Sequence, residues 1–187
     1  MMEANSYNYS LESILLVDGR QEVISRVEGK KSGGNTHIKG EMVNTPVNIY
    51  YIDQTIYNYD SFSEKWLVIE SGKTNSEELL ISELNPLSNF RFKQIEKVEK
   101  VGFEEIEGTD YLVVSSKPAV ESQLLETLWK DFEYQFWIDY ENKVFTKAVL
   151  NATNKKKENT KLFIEVKLDN INHNIVIEAP DTSKKSD

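Results

Sequence analysis

The sequence predicts an α+β fold built on one large antiparallel β-sheet with a few short helices. Three observations carry this. Most of the chain alternates apolar and polar residues with a period of two, the signature of half-buried strands. Turn residues follow one strand after another at hairpin spacing, which favours an antiparallel meander over a βαβ pattern. Only two stretches show helical spacing.

The elements follow in order. Tyr7, Tyr9 and Leu11 alternate with Asn8, Ser10 and Glu12. That strand runs to Val17 and turns at Asp18-Gly19, a two-residue signal for a hairpin whose turn positions need positive φ. Val23, Ser25 and Val27 begin the return strand. Ser32-Gly33-Gly34-Asn35 is a second turn. His37–Met42 is a third strand and Val47–Ile52 a fourth. Asp53-Gln54 connects tightly to Ile56–Tyr59, and Ser61–Glu64 turns into Trp66–Ile69.

The alternation then breaks. Ser76–Leu84 carries Leu79, Leu80, Ile81 and Leu84, with Asn75 or Ser76 as N-cap and Glu77-Glu78 in the first turn. Acids there suit the helix dipole. Leu87–Phe92 adds a second short helix after Pro86. Gln94–Ile106 reads as a strand that turns at Glu107-Gly108-Thr109 into Tyr111–Ser115. A further helix is expected over Ala119–Phe132, because Val120, Leu124, Leu125, Leu128 and Phe132 share one helical face. The rest alternates again: Tyr134 to Tyr140, Val144 to Leu150 and, most cleanly, Thr160 to Asp169. Asn154–Asn159 is an exposed hairpin loop. Residues 1–180 read as one domain and 181–187 as a polar tail.

Composition narrows the function. The chain has 187 residues and no cysteine, so it has no disulfide, thiolate metal site or thiol nucleophile. Asp and Glu total 31 against 22 Lys and Arg, a net charge of −9. Nucleic acid is a poor partner for such a chain, because phosphates need a basic patch. At 39% hydrophobic residues the chain is globular. No apolar run reaches the roughly 18 residues of a membrane span. The first six residues have neither the charged start nor the apolar stretch of a signal peptide. The chain is therefore either cytoplasmic or the mature part of an exported protein.

No catalytic or cofactor motif appears. Two histidines, His37 and His173, have no second ligand at metal-binding spacing. Glu77-Glu78 and Glu104-Glu105 read as solvated faces, Lys155-Lys156-Lys157 as a solubilising loop and Asp139–Asn142 as a hairpin turn. The chain is read as a non-enzyme with no cofactor and no metal. Aromatic residues are the informative excess. Val47–Ile52 and Trp66–Ile69 are apolar on both faces, which fits either a filled core or a curved sheet with an apolar cavity against its helices.

Several segments resemble the LolA/LppX-like superfamily of bacterial envelope lipoproteins. The resemblance rests on the opening strand Ser6–Leu11, the hairpin Ile49–Asp60 followed by Trp66, the hairpin Phe136–Lys143 followed by Lys147, and the close Asn174–Pro180. It implies an unclosed half-barrel, a bent antiparallel sheet wrapped over helices that act as a lid. Many members hold a lipid or acyl chain between the layers. Others are sensors or have no known ligand. The resemblance implies an extracytoplasmic, cell-envelope location, although the lipidated cysteine of many members is absent from this sequence. The lining of such a cavity is expected from Tyr51, Trp66, Leu79, Leu80, Leu84, Leu124, Leu128, Phe136 and Ile138. The alternative is an envelope protein-interaction or sensory module with a filled core and a protein partner.

Overall fold

The computed structural model describes residues 4–70, 86–95 and 97–183. Eleven strands form one antiparallel sheet. In chain order they are β1 (Ser6–Val17), β2 (Arg20–Ser32), β3 (Asn35–Met42), β4 (Thr45–Ile52), β5 (Thr55–Asp60), β6 (Lys65–Glu70), β8 (Val98–Ile106), β9 (Thr109–Ser116), β11 (Trp129–Asp139), β12 (Val144–Asn154) and β13 (Thr160–Asp169). Two short strands, β7 (Phe92–Gln94) and β10 (Ala119–Val120), pair with each other outside it. Among the described residues a 3-10 turn covers Pro86–Phe90 and an α-helix, α1, covers Gln123–Leu128.

The strand order is β6-β5-β4-β3-β2-β1-β13-β12-β11-β9-β8. β6 and β8 are its two edges, so the sheet is an open half-barrel. β1 is the middle strand. It joins two hairpin series by pairing with β2 on one side and β13 on the other.

Left-handed backbone marks several of the expected turns, and also Val43-Asn44, which the sequence did not single out. Asp18 and Gly19 have φ of 50° and 80° and form a two-residue turn between β1 and β2. Val43-Asn44, Asp53-Gln54 and Glu107-Gly108 do the same for the hairpins β3–β4, β4–β5 and β8–β9. Such turns match the right-handed strand twist. Asp139 closes the β11–β12 hairpin. Its carboxylate accepts from the Glu141 and Asn142 backbone N–H groups and from Asn142 Nδ2, at 3.0, 2.9 and 2.7 Å. These bonds, the Asn142 side chain first, hold its pKa below the ordinary range.

Opposite residues of an antiparallel pair share a face, so the register sorts every side chain. On the inner face, one row runs Val47–Gly40–Val27–Leu11–Val166–Ala148–Phe136–Val114 across eight strands. The main core is built there, from Tyr7, Tyr9, Leu11, Ile38, Leu162, Ile164, Val166, Leu150 and Tyr134, closed over by Phe90, Val120, Leu125 and Trp129. A smaller outer cluster joins Val113, Trp137 and Val149 to Phe163 and Ile106.

Three expectations differ from the structure. The helix expected over Ala119–Phe132 is only six residues long. β10 precedes it, and β11 has already begun at Trp129. Phe132 belongs to a strand whose alternation is shifted by a bulge, with Asp131 at φ 55° and a register shift between Lys130 and Glu133. Leu87–Phe92 forms a 3-10 turn and the start of β7 rather than a helix. Asn174–Pro180 forms no strand. Asn170 and Asn172 take left-handed φ of 49° and 60°, and both neighbours of β13 are already occupied. The helix expected over Ser76–Leu84 lies outside the described residues.

Candidate ligand-binding face

The inner face of the sheet is the candidate site, and its two sides differ. On the β13–β12–β11 side a covering layer is present. Ser122 caps α1, its side chain accepting from the Leu125 N–H at 3.3 Å, as a helix start requires. The cap sets the helix so that Leu125 points inward and is 6% exposed, while Leu124 and Leu128 are 63% and 45% exposed. Phe90 and Phe92 stand edge-on to Tyr134, with ring centroids 5.8 and 4.8 Å apart. They also approach Phe136 edge-on, and Phe145 packs on Phe136 from the next strand. Beside Phe136 on β12 the same face carries a small residue, Ala148, which is fully buried. A small residue beside large rings lets the layer pack closely.

On the β3–β6 side, Ile38 and Ile56 are buried. Ile49 and Tyr51 are half-buried, and Leu67 and Ile69 are exposed at the β6 edge. Registers put Thr36, Tyr51, Ile56 and Ile69 in one row and Ile38, Ile49, Asn58 and Leu67 in the next. The result is a largely apolar wall.

At the junction stands Tyr9 on the middle strand, with Gly29 of β2 directly opposite. A Cβ on Gly29 would meet the Tyr9 hydroxyl at 2.5 Å and the His37 carbonyl oxygen at 2.2 Å. Only glycine leaves room for the tyrosine ring to lie across it. The Tyr9 hydroxyl is buried and has no hydrogen-bond partner among the described residues. An unmet buried hydroxyl costs about 1–3 kcal/mol. The comparable phenol, Tyr134, donates to the Asn89 carbonyl at 3.0 Å. Burial pushes the Tyr7 phenol up to about 12 and also raises those of Tyr9 and Tyr134, so all three are uncharged donors.

The predicted lining residues are distributed as follows. Phe136 and Ile138 are inner-face neighbours on β11, half-buried. Tyr51 is also on the inner face, but on β4, six strand spacings away, about 29 Å along the sheet. Trp66 is on the opposite face: its register partner is Tyr59, and its ring contacts those of Tyr59 and Tyr50 at 5.2 and 5.7 Å. Leu124 and Leu128 sit on the solvent side of α1. Leu79, Leu80 and Leu84 lie outside the described residues. Tyr9, Gly29, Phe90, Phe92 and Tyr134 were not anticipated as site residues. The alternation of Tyr7 and Tyr9 and of Tyr134 and Phe136 was the available signal.

The outer face is charged across β13, β1, β2 and β3 and aromatic at the β3–β6 end. An open groove of about 520 Å³ crosses β13, β1, β2 and β3, with backbone as its floor beside Ser10 and Gly40. Its walls are charged, and oppositely charged groups neighbour one another: Arg26 pairs with Glu12, and Glu165 with Lys167 and Lys147 at 3.1 Å each. Lys147 also lies over the Trp137 ring, whose Nε1 donates to Glu104 at 2.7 Å. At the β3–β6 end, His37 stacks on Tyr50 with centroids 3.9 Å apart, its Nε2 within 3.0 Å of Asn48 Oδ1.

Among the described residues no three His, Cys, Asp or Glu side chains converge on a metal position. None of the described helices is long and apolar enough to cross a membrane. Among the described residues the inner face offers apolar contact and, at Tyr9, a buried hydroxyl donor without a partner.

No family model and no curated protein matches the sequence. Solved structures do match. LprF from Mycobacterium bovis superposes with a TM-score of 0.56 at 14% identity, covering 95% of this chain and 90% of that one. The Mycobacterium tuberculosis lipoprotein LppX gives 0.59 at 14% identity, covering 94% and 90%. A LolA-superfamily protein from Nitrosomonas europaea overlaps more loosely, at 0.38 and 10% identity, covering 96% and 90%. The open eleven-stranded sheet with its short helical cover thus has the fold of LppX and LprF.

Proposed function

We propose that this chain binds a lipid or acyl chain non-covalently on the inner face of its half-barrel, as an extracytoplasmic envelope protein with no chemical step of its own. The observation that carries the reading is the uneven cover of that face. One side is filled by aromatic rings. The other presents Ile49, Tyr51, Ile56, Leu67 and Ile69 as an apolar wall that the described residues leave partly open. Burying an acyl chain there would gain about 0.8 kcal/mol per methylene. The LppX-like fold supports the reading, and LppX is itself a lipoprotein. Of the predicted lining, Tyr51 belongs to that open wall and the proposal keeps it; Phe136 and Ile138 stand on the same face but on the filled side, six strand spacings away.

The test is native mass spectrometry of gently purified protein with lipid extraction, together with titration of a fluorescent fatty acid. A co-purifying lipid or saturable binding is the expected result. Protein from its natural compartment that is empty and binds no probe would sink the reading.

A protein-interaction role is the second reading. It is favoured by the outer cluster of His37, Tyr50, Tyr59 and Trp66, aromatic side chains on a face with no covering layer among the described residues. Such residues are enriched where proteins meet. Cross-linking in the native envelope would recover a specific partner, and Trp66→Ala would abolish its capture.

A further inference from the structure

Several buried hydroxyls of the fold are paired. Tyr134 donates to Asn89, Ser6 to the His173 carbonyl at 2.7 Å and Ser116 to the Lys97 carbonyl at 2.7 Å. Tyr9 is 3% exposed, and its hydroxyl has no partner among the described residues. Phenylalanine would lay the same ring across Gly29 without that cost. The position is also specific. Tyr9 is on the middle strand, and its hydroxyl reaches over Gly29 toward β3, where the register places Ile38 opposite Gly29. That is the direction of the partly open wall. The immediate surroundings, Tyr7, Leu11, Val27, Ile38 and Leu168, are almost wholly apolar.

We propose that the Tyr9 hydroxyl is the polar anchor of the site and donates a hydrogen bond to an uncharged carbonyl oxygen on an otherwise apolar ligand, an ester-bearing acyl lipid. This rests on the lipid-binding reading and adds a chemical class to it. The donor is fixed, because burial keeps the phenol protonated. An uncharged acceptor suits these side chains, which are almost wholly apolar and would strip a charged group of its hydration; the Arg91 charge reaches Tyr7 rather than the Tyr9 hydroxyl. A simple hydrocarbon would leave the hydroxyl unmet, and the site therefore discriminates between apolar molecules of similar size by one oxygen.

The experiment compares the full chain with Tyr9→Phe, using two fluorescent probes of similar length: pyrenedecanoic acid methyl ester and dodecylpyrene. The wild-type protein should bind the ester more tightly than the hydrocarbon. Tyr9→Phe should weaken the ester roughly three- to tenfold, the worth of one net hydrogen bond, and leave the hydrocarbon unchanged. The ligand-free thermal midpoint of Tyr9→Phe should equal or exceed that of wild type, because the hydroxyl has no partner among the described residues to lose. A variant that binds the ester as well as wild type overturns the anchor and leaves the lipid-binding reading standing. So does a variant that loses both probes equally, or whose ligand-free midpoint falls, since the hydroxyl then serves the fold. Wild-type protein that binds neither probe overturns the reading and the anchor together.

Discussion

The two sides of the inner face are made by the same means and differ in what lies over them. Both are antiparallel strands, and both turn apolar side chains inward. Across β13, β12 and β11 those side chains meet a second layer: Phe90, Phe92, Val120 and Leu125. There Leu150, Val166 and Tyr134 are fully buried. Across β4, β5 and β6 apolar side chains also face inward, yet Leu67 remains 54% exposed. Alternation alone thus does not make a core. It makes a face, and the covering layer decides whether that face becomes packing or remains available for binding.

The largest effect should separate the two sides directly. Leu150→Ala removes a fully buried side chain beneath the cover and should cost about 2–5 kcal/mol by urea unfolding. Leu67→Ala, on the same face at the β6 edge, should cost about 0.5 kcal/mol or less. Equal losses would break the comparison.

The boundary between the sides is tested by glycines. In Gly29→Ala the new Cβ would fall 2.2 Å from a backbone carbonyl oxygen, so strand and tyrosine must shift. Overpacking of that kind costs about 1–3 kcal/mol. Gly102→Ala, with nothing within 4 Å of its Cβ, should change stability by about 0.5 kcal/mol or less, with circular-dichroism melts as the readout.

A smaller effect should be confined to the covered side. Ser122→Ala removes the cap of α1 and should cost about 1 kcal/mol. Hydrogen exchange should speed up at residues 123–128 and leave β4–β6 unchanged. Matching acceleration at β4–β6 would show that the two sides unfold together.

The smallest effect belongs to the outer face of the open side. Burial holds the His37 pKa below its ordinary value, although the Asn48 hydrogen bond opposes this. The unfolded chain then binds more protons just below about pH 6.5, so the contribution is fully present above that value and is lost as pH falls. The thermal midpoint should decline between about pH 7 and 5.5, and His37→Gln should reduce the decline. An unchanged slope in His37→Gln would assign it to other groups.

The sequence discloses the sheet well and the site poorly, for different reasons. Turn chemistry is local, so Asp18-Gly19, Asp53-Gln54 and Glu107-Gly108 mark their hairpins without knowledge of neighbours. Thr160–Asp169 alternates so cleanly that its inner set, Thr160 to Leu168, is the set the structure buries. The stretch after Val120 misleads because the bulge at Asp131 breaks the period of two at the point where helical spacing also fits. Faces are harder still. In Val47–Ile52 and Trp66–Ile69 both parities are apolar, so nothing local separates Tyr51, which faces inward, from Trp66, which does not. The anchor Tyr9 was visible only as one more apolar position. Its meaning depends on Gly29, twenty residues away along the chain and directly opposite in the sheet.

The pairing of β1 with β13 also has a kinetic consequence. Every other neighbour pair in the large sheet is a hairpin or a connection of modest length, but Asn8 pairs with Asp169. Closing a loop of that size is entropically costly and slow compared with zipping a hairpin. The β1–β6 meander therefore forms early and waits with the free edge of β1 exposed, a row of unpaired amides beside Tyr9. During synthesis that edge is available to other chains until residue 169 has left the ribosome. The middle of the finished sheet is thus the most vulnerable margin of the unfinished one.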